Sequence, residues 1–232
     1  MTAPLTVIIP TLNAAAALPA TTDALLSGVG DGLIAELVIS DGGSDDQISA
    51  VSDALGAVLV TGPKGRGAQI ARGIEKTSTP WLLILHADTH LSEGWTRPVL
   101  DHMEHHADKA GFFQLSFRAD GVMPKLVAKG ANLRARLFDL PYGDQGILIH
   151  RDLLQATGGY PTLPLMEDVA LARQLKGKLR PLSAYAQTSA ERYEGEGWVR
   201  RSLKNLGLLA RYKMGADPET LMAKYHAKGP PP

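Results

Sequence analysis

The chain has 232 residues, 44% of them hydrophobic, with Lys+Arg and Asp+Glu balanced at 24 each. That content suits one compact domain with a sizeable core, and the zero net charge gives no general pull towards nucleic acid. Cysteine is absent, which excludes a disulfide scaffold and a thiolate metal site and allows a reducing cytoplasm. Residues 1–10 lack a basic lead followed by a long apolar run, so no signal peptide is expected. No uncharged apolar stretch approaches the roughly 20 residues that span a bilayer, so the protein is expected to be soluble or at most peripheral to a membrane.

Leu5-Thr6-Val7-Ile8-Ile9 reads as a first strand stopped by Pro10, and residues 14–26 have helical composition. Leu37-Val38-Ile39-Ser40 is a second strand and Ala57-Val58-Leu59-Val60 a third. Residues 65–76 are helical, and Trp81-Leu82-Leu83-Ile84-Leu85 is the most apolar strand in the sequence. Continuous apolar runs imply strands buried on both faces, hence a largely parallel sheet with helices on each side. Ligands of such sheets bind beyond the carboxyl ends of the strands. The polar clusters fall there: Thr11 and Asn13 after the first strand, Asp41 after the second, His86 and Asp88 after the apolar one.

After Asp108 the rhythm changes. Residues 110–117 alternate like a strand, 122–138 read as a basic helix, 146–150 as a short strand, and 167–176 and 197–213 as helices. In the last of these Val199, Leu203, Leu206 and Ala210 form one stripe, with charges mostly off it. The expected organisation is one domain over 1–227, with a nucleotide-binding half over 1–108 and an acceptor-side half over 109–227. Lys228-Gly229-Pro230-Pro231-Pro232 is expected to be a disordered tail.

His86-Ala87-Asp88 directly follows five apolar residues, which holds a carboxylate rigidly at a cleft. Mg2+ or Mn2+ prefers oxygen ligands and bridges one or two carboxylates to substrate phosphates, a role open to Asp88. His86 can be a second ligand or a donor to phosphate. The competing reading is that Asp88 caps a helix beginning near Ser92 or merely ends the strand. Asp41-Gly42-Gly43-Ser44-Asp45-Asp46 permits close backbone approach to a ligand, with Asp41 accepting from a base or ribose. It also looks like a plain turn and helix N-cap.

Gly65-Arg66-Gly67-Ala68-Gln69-Ile70-Ala71, with Lys64 beside it, opens a helix that can bind a diphosphate. Its spacing also resembles a variant dinucleotide fingerprint with Asp88 at the ribose position, the basis of an alternative reading as an NAD(P)-dependent oxidoreductase. Against that, two strands precede the motif and Pro63 breaks the tight turn. Met166-Glu167-Asp168 at a helix start is either a cap with N-terminal charge or the source of a general base. The late basic residues Arg192, Arg200, Arg201, Lys204, Arg211 and Lys213 read as a solvated face, with contact of Arg192 to Arg201 with phosphates or an anionic membrane surface as the alternative.

Taken in order, Val7-Ile8-Ile9-Pro10-Thr11-Leu12-Asn13, Val38 through Asp46, Gly65-Arg66-Gly67, His86-Ala87-Asp88 and Met166-Glu167-Asp168 resemble glycosyltransferase family 2, the inverting GT-A enzymes. The likeness runs from near the N-terminus to about Lys176. It is greatest to a small soluble bacterial subgroup marked by Leu85-His86-Ala87-Asp88-Thr89 and Pro164-Leu165-Met166-Glu167-Asp168. The resemblance implies a single-domain α/β GT-A (nucleotide-diphospho-sugar transferase) fold, its central sheet mostly parallel with helices on both faces. It implies transfer of a sugar with inversion from a nucleotide-diphosphate donor, UDP by family habit with GDP as second option, to a hydroxyl of a small-molecule or lipid acceptor.

The resemblance carries nucleotide-sugar binding onto Pro10, Thr11, Asn13, Asp41, Lys64, Arg66, Gly67, Ala87 and Asp88. It carries the Mg2+ or Mn2+ onto Asp88 with His86, and the general base onto Asp168, with Glu167 as second candidate. His86 departs from the family's Asp-x-Asp at its first acid, and Ala14-Ala15-Ala16 replaces acids often found after Asn13. The missing acid motivates a third reading, a noncatalytic nucleotide-sugar-binding protein. Location is expected in the cytoplasm, and any membrane contact at the inner face falls to residues 122–138 or 197–213.

Overall fold

With no polar face to offer water, β1 (Leu5–Thr11) is buried along its whole length. Its alternate residues feed two cores: Val7 and Ile9 join Ile39, Leu83, Trp95 and Val99 on one face of the sheet, and Ile8 joins Val38, Leu82, Ile70 and Leu171 on the other. The computed structural model describes residues 3–226, with side chains to residue 222; the expected tail lies outside the described residues. No described helix is long and apolar enough to cross a membrane.

Beside β1 lie β2 (Ile34–Asp41), β3 (Val58–Thr61) and β4 (Trp81–Ile84), all parallel to it. Pro10 does not stop β1. Thr11 faces β2, where its carbonyl accepts from Gly42 N–H at 2.9 Å, whereas Ile8 faces β4 through the Leu85 N–H. Pro10 falls on the β4 side two residues later, beyond the last paired residues Ile8 and Ile84, so its missing N–H forfeits no ladder bond.

The helix expected over 14–26 is split into α1 (Leu18–Asp23) and α2 (Leu26–Gly30). Trp95 Nε1 donates to the Ala24 carbonyl at 3.0 Å, taking the acceptor that a continuous helix would offer Gly28. The Gly28 N–H turns to Leu25 instead. Next come α3 (Ile48–Ala54) and α4 (Arg66–Glu75). The latter lies so close to β1 that a Cβ on Gly73 would stand 2.8 Å from Ile8.

After β4 come β5 (His90–Leu91) and α5 (Thr96–His105), so Asp88 is eight residues ahead of the helix it was alternatively expected to cap. The second half adds β6 (Ala110–Phe117), α6 (Val122–Phe138), β7 (Ile147–His150), α7 (Arg151–Ala156) and α8 (Glu167–Gln174). These are followed by β8 (Leu179–Thr188), α9 (Glu191–Glu196), α10 (Trp198–Lys213) and α11 (Pro218–His226). The sheet order is β3-β2-β1-β4-β7-β6-β8-β5. Four of its seven pairings are parallel, and the antiparallel ones all involve β7 or β5. Because β7 runs against β4, the start of β7 shares a sheet edge with the end of β4, Ile147 opposite Ile84.

Candidate active site

The loop after β2 is built around one carboxylate. Asp41 is 2% exposed, and its Oδ1 accepts from Thr11 Oγ1 (3.1 Å) and Ser44 Oγ (2.5 Å). Its Oδ2 accepts from the Gly43 and Ser44 N–H groups, both at 2.8 Å. All four acceptor positions are therefore filled from β1 and the loop, while the N-cap of α3 is Gln47 and receives no side-chain bond from this motif. Asn13, in the left-handed conformation at φ 52°, accepts from Asp45 N–H and donates its own N–H to Ser44 Oγ. Behind it Pro10 and Thr11 are buried, and Gln69 Nε2 donates to the Thr11 and Ser40 carbonyls at 2.6 and 3.0 Å.

Burial works to raise the Asp41 carboxyl, but the bonds from Ser44, Gly43 and Thr11 outweigh it and hold it below its ordinary value. A carboxyl depressed in the folded chain adds stability above its unfolded pKa of about 3.9 and loses it as pH falls through the folded value. Acid unfolding of Asp41→Asn, followed by circular dichroism, is expected to be less steep below about pH 4 than that of the parent chain.

The turn after β4 is pinned by its carbonyls. The His86 carbonyl accepts from Thr89 N–H, that of Ala87 from Thr21 Oγ1 (2.6 Å), and that of Asp88 from Arg118 Nη1 (2.6 Å). The same Arg118 nitrogen reaches the Gln187 carbonyl of β8. Among the described residues, nothing hydrogen-bonds or pairs with the Asp88 carboxylate. Half-buried His86 points across the edge: a Cβ on Gly143 would lie 2.6 Å from its Nε2 and 3.5 Å from Asp168 Oδ2. Burial, then the charges of Arg66 and Arg192, pull its pKa down to about 3. At neutral pH it is an uncharged imidazole, a ligand or a single hydrogen-bond donor, and cannot attract phosphate as a cation.

The start of α4 departs from expectation. Arg66 Nε bonds Glu167 Oε1, and Glu167 is 1% exposed. Burial opposes the Arg66 charge, and Glu167 and Asp168 beside it more than restore it. Burial also pushes the Glu167 carboxyl up, with Arg66 pulling it back. Glu167 is thus an enclosed ion-pair partner out of reach of an acceptor, which sets it aside as the base. Arg66 holds Glu167 through its Nε.

Gly67 is also corrected. A Cβ there would run into the Pro161 and Leu163 backbone, so this helix start is covered by the loop before α8 and not open to a pyrophosphate. The dinucleotide reading falls with it. Gly67→Ala is expected to destabilise the fold by about 1–3 kcal/mol, seen as a lowered melting temperature. Lys64 stands exposed at the lip.

One group escaped the sequence reading: Tyr142-Gly143-Asp144-Gln145, the turn that leads into β7. Fully buried Gln145 donates to the Phe113 carbonyl (3.1 Å) and accepts from Tyr142 N–H (3.3 Å), and Arg134 lies 3.4 Å over the Tyr142 ring. So braced, the turn donates Gly143 N–H to Asp168 Oδ2 at 2.8 Å and carries Asp144, whose Oδ1 is buried without a partner. Burial raises the Asp144 carboxyl to about 6, Arg134 opposes this, and Asp168 and Asp88 add to it.

Among the described residues no three His, Asp or Glu side chains converge to hold a metal unaided. A cation that works on a diphosphate needs only one or two carboxylates, its remaining ligands being phosphate and water. The unengaged Asp88 carboxylate and the orphaned Asp144 oxygen, each within electrostatic reach of the other, fit that donor set.

A sheet of this order, with polar turns at the ends of β1, β2 and β4 and a carboxylate brought to them by α8, is the GT-A arrangement of nucleotide-diphospho-sugar transferases. Residues 6–139, more than half of the chain, match Glycosyl transferase family 2, and the chain belongs to that family of glycosyltransferases.

Among solved structures, it resembles glucosyl-3-phosphoglycerate synthase from Mycobacterium tuberculosis in complex with Mn2+, UDP and phosphoglyceric acid. The TM-score is 0.53 at 21% identity, over 76% of this chain and 67% of that one. The same synthase with Mn2+, UDP-glucose and glycerol 3-phosphate gives 0.53 at 22% identity, over 76% and 68%. S. aureus TarS (1–349) gives 0.61 at 17% identity, over 79% of this chain and 60% of that one. No curated protein matches in sequence.

Proposed function

We propose that this family 2 enzyme moves a sugar, with inversion and with the help of Mn2+ or Mg2+, from a UDP-sugar to a hydroxyl of a small-molecule or lipid acceptor. The observation that supports this most is the meeting of Asp168 with the His86 turn through Gly143, with Asp88 and Asp144 in electrostatic reach. In this reading Asp168 takes the acceptor proton as the acceptor oxygen bonds the anomeric carbon, and the diphosphate leaves from the opposite face with the bonding electrons. Gly143 N–H and the start of α8 orient that carboxylate.

A divalent cation on Asp88, with Asp144 offering its buried oxygen, would supply positive charge at the departing diphosphate. His86 serves as a neutral neighbour of that group. Asp41, Asn13, Thr11 and Pro10 shape the wall that receives the base and ribose, and Ala87 lines it with backbone held by Thr21. Lys64 is the exposed cation at the diphosphate lip, and Arg66 acts indirectly by fixing Glu167 next to Asp168.

UDP and Mn2+ are favoured over GDP and Mg2+ because the mycobacterial synthase structures hold them. The reaction is set in the cytoplasm, the compartment a cysteine-free sequence allows. Equilibrium binding of UDP with Mn2+, Mg2+ or EDTA, followed by a screen of nucleotide sugars for cation-dependent hydrolysis, tests the reading. Affinity that ignores the cation, or NAD(P) binding in its place, would defeat it. Absence of both hydrolysis and transfer would favour a noncatalytic binder.

A further inference from the structure

Two touching helices carry a surface the transferase site does not use. α6 and α10 contain no Asp or Glu, although the whole chain balances 24 acidic against 24 basic residues. On α6 the small residues Pro124, Ala128 and Ala135 are buried, while Val122, Leu126, Leu133 and Leu137 are each more than half exposed. At 100° per residue these four side chains lie within about 60° of one another. On α10 the stripe read from periodicity also faces out: Val199, Leu203 and Leu206 are each more than half exposed, Ala210 is exposed, and the four lie within about 60°. Exposed Lys125, Lys129 and Arg136 border the first stripe, and exposed Arg200, Arg211 and Lys213 the second.

A helix that stays in water buries its apolar stripe, and these two bare theirs. Exposed large aliphatic side chains on helices that carry cations and no acid are the composition of a helix lying in the headgroup plane of a negatively charged bilayer. We propose that α6 and α10 form a docking surface for an anionic lipid bilayer.

Their inner sides reach the transferase site. Asn132 of α6 accepts from Gln145, and Arg134 covers Tyr142. Leu209 and Tyr212 of α10 join the cluster of Val169 and Ala172 on α8, next to Asp168. A docked chain therefore has the Asp168 side of its site one helix layer from the bilayer, where an acceptor dissolved in lipid would be met.

The test is co-sedimentation with vesicles of phosphatidylglycerol and phosphatidylcholine, against phosphatidylcholine alone. The chain is expected to pellet with the anionic vesicles only and to be released as salt is raised. In L126E/L203E, two exposed changes, binding is expected to fall by about tenfold with no change in melting temperature. Failure to pellet, equal binding to neutral vesicles, or full binding by the variant overturns the proposal. So does a dimer, seen by sedimentation velocity, that L126E/L203E splits while vesicles leave the parent chain in solution; the stripes would then face a second copy.

Discussion

Asp168→Asn is expected to lower kcat by about 10²- to 10⁴-fold while UDP affinity in Mn2+ stays unchanged. The substitution is nearly isosteric, and its amide oxygen can still accept the Gly143 N–H that Asp168 Oδ2 accepts at 2.8 Å. The turn that holds Asp144 and flanks His86 should keep its shape; what is lost is the capacity to take a proton, together with the Oδ1 acceptor that Val169 N–H uses at 2.7 Å. Steady-state transfer on an accepted donor, beside isothermal titration with UDP, separates these effects. Turnover at the parental rate would refute the base assignment and turn attention to Asp144.

Loss of Asp88 should uncouple cation from nucleotide. In the parent chain Mn2+ is expected to tighten UDP binding. In Asp88→Asn, affinity with Mn2+ should drop to the value in EDTA, and transfer should fall by about 10³-fold, the several kcal/mol a Lewis acid contributes at a leaving diphosphate. Folding should not suffer, because Asp88 is tied into its turn by its carbonyl to Arg118 rather than by its carboxylate. An Asp88→Asn chain that still binds UDP more tightly with Mn2+ would move the metal elsewhere, with Asp144 and His86 as the residues left to hold it.

The first half of the sheet was legible because its signals are local. Apolar runs mark β1, β2 and β4, and a strand end followed by Asp41 or Asp88 can be read without knowing what lies opposite. Residues 110–117 and 122–138 coincide with β6 and α6.

β8 was not legible, since three of the residues it buries in alternation are Ala184, Ala186 and Thr188, small or polar side chains that carry little apolar signal. Asp144 escaped for a topological reason. It precedes a strand instead of following one, and that puts it at the site only because β7 runs antiparallel to β4. The pairing of Arg66 with Glu167 spans 101 positions, a distance over which spacing says nothing. Spacing likewise reveals the amphipathic stripe of α10 but not that this side of the helix is bare.

The clasp on Asp88 has a consequence for synthesis. Its carbonyl and that of Gln187 share one Arg118 nitrogen, His90 pairs with Gln187, and β4 needs β7 as its outer neighbour. A nascent chain extended only to Asp108 holds β1 to β5 but none of these supports. Domains usually acquire structure from the N-terminus as they leave the ribosome. Here the turn after β4 gains its Arg118 clasp and its β7 neighbour only once the ribosome has passed β8, so an early part of the polypeptide waits on a late one for its final supports.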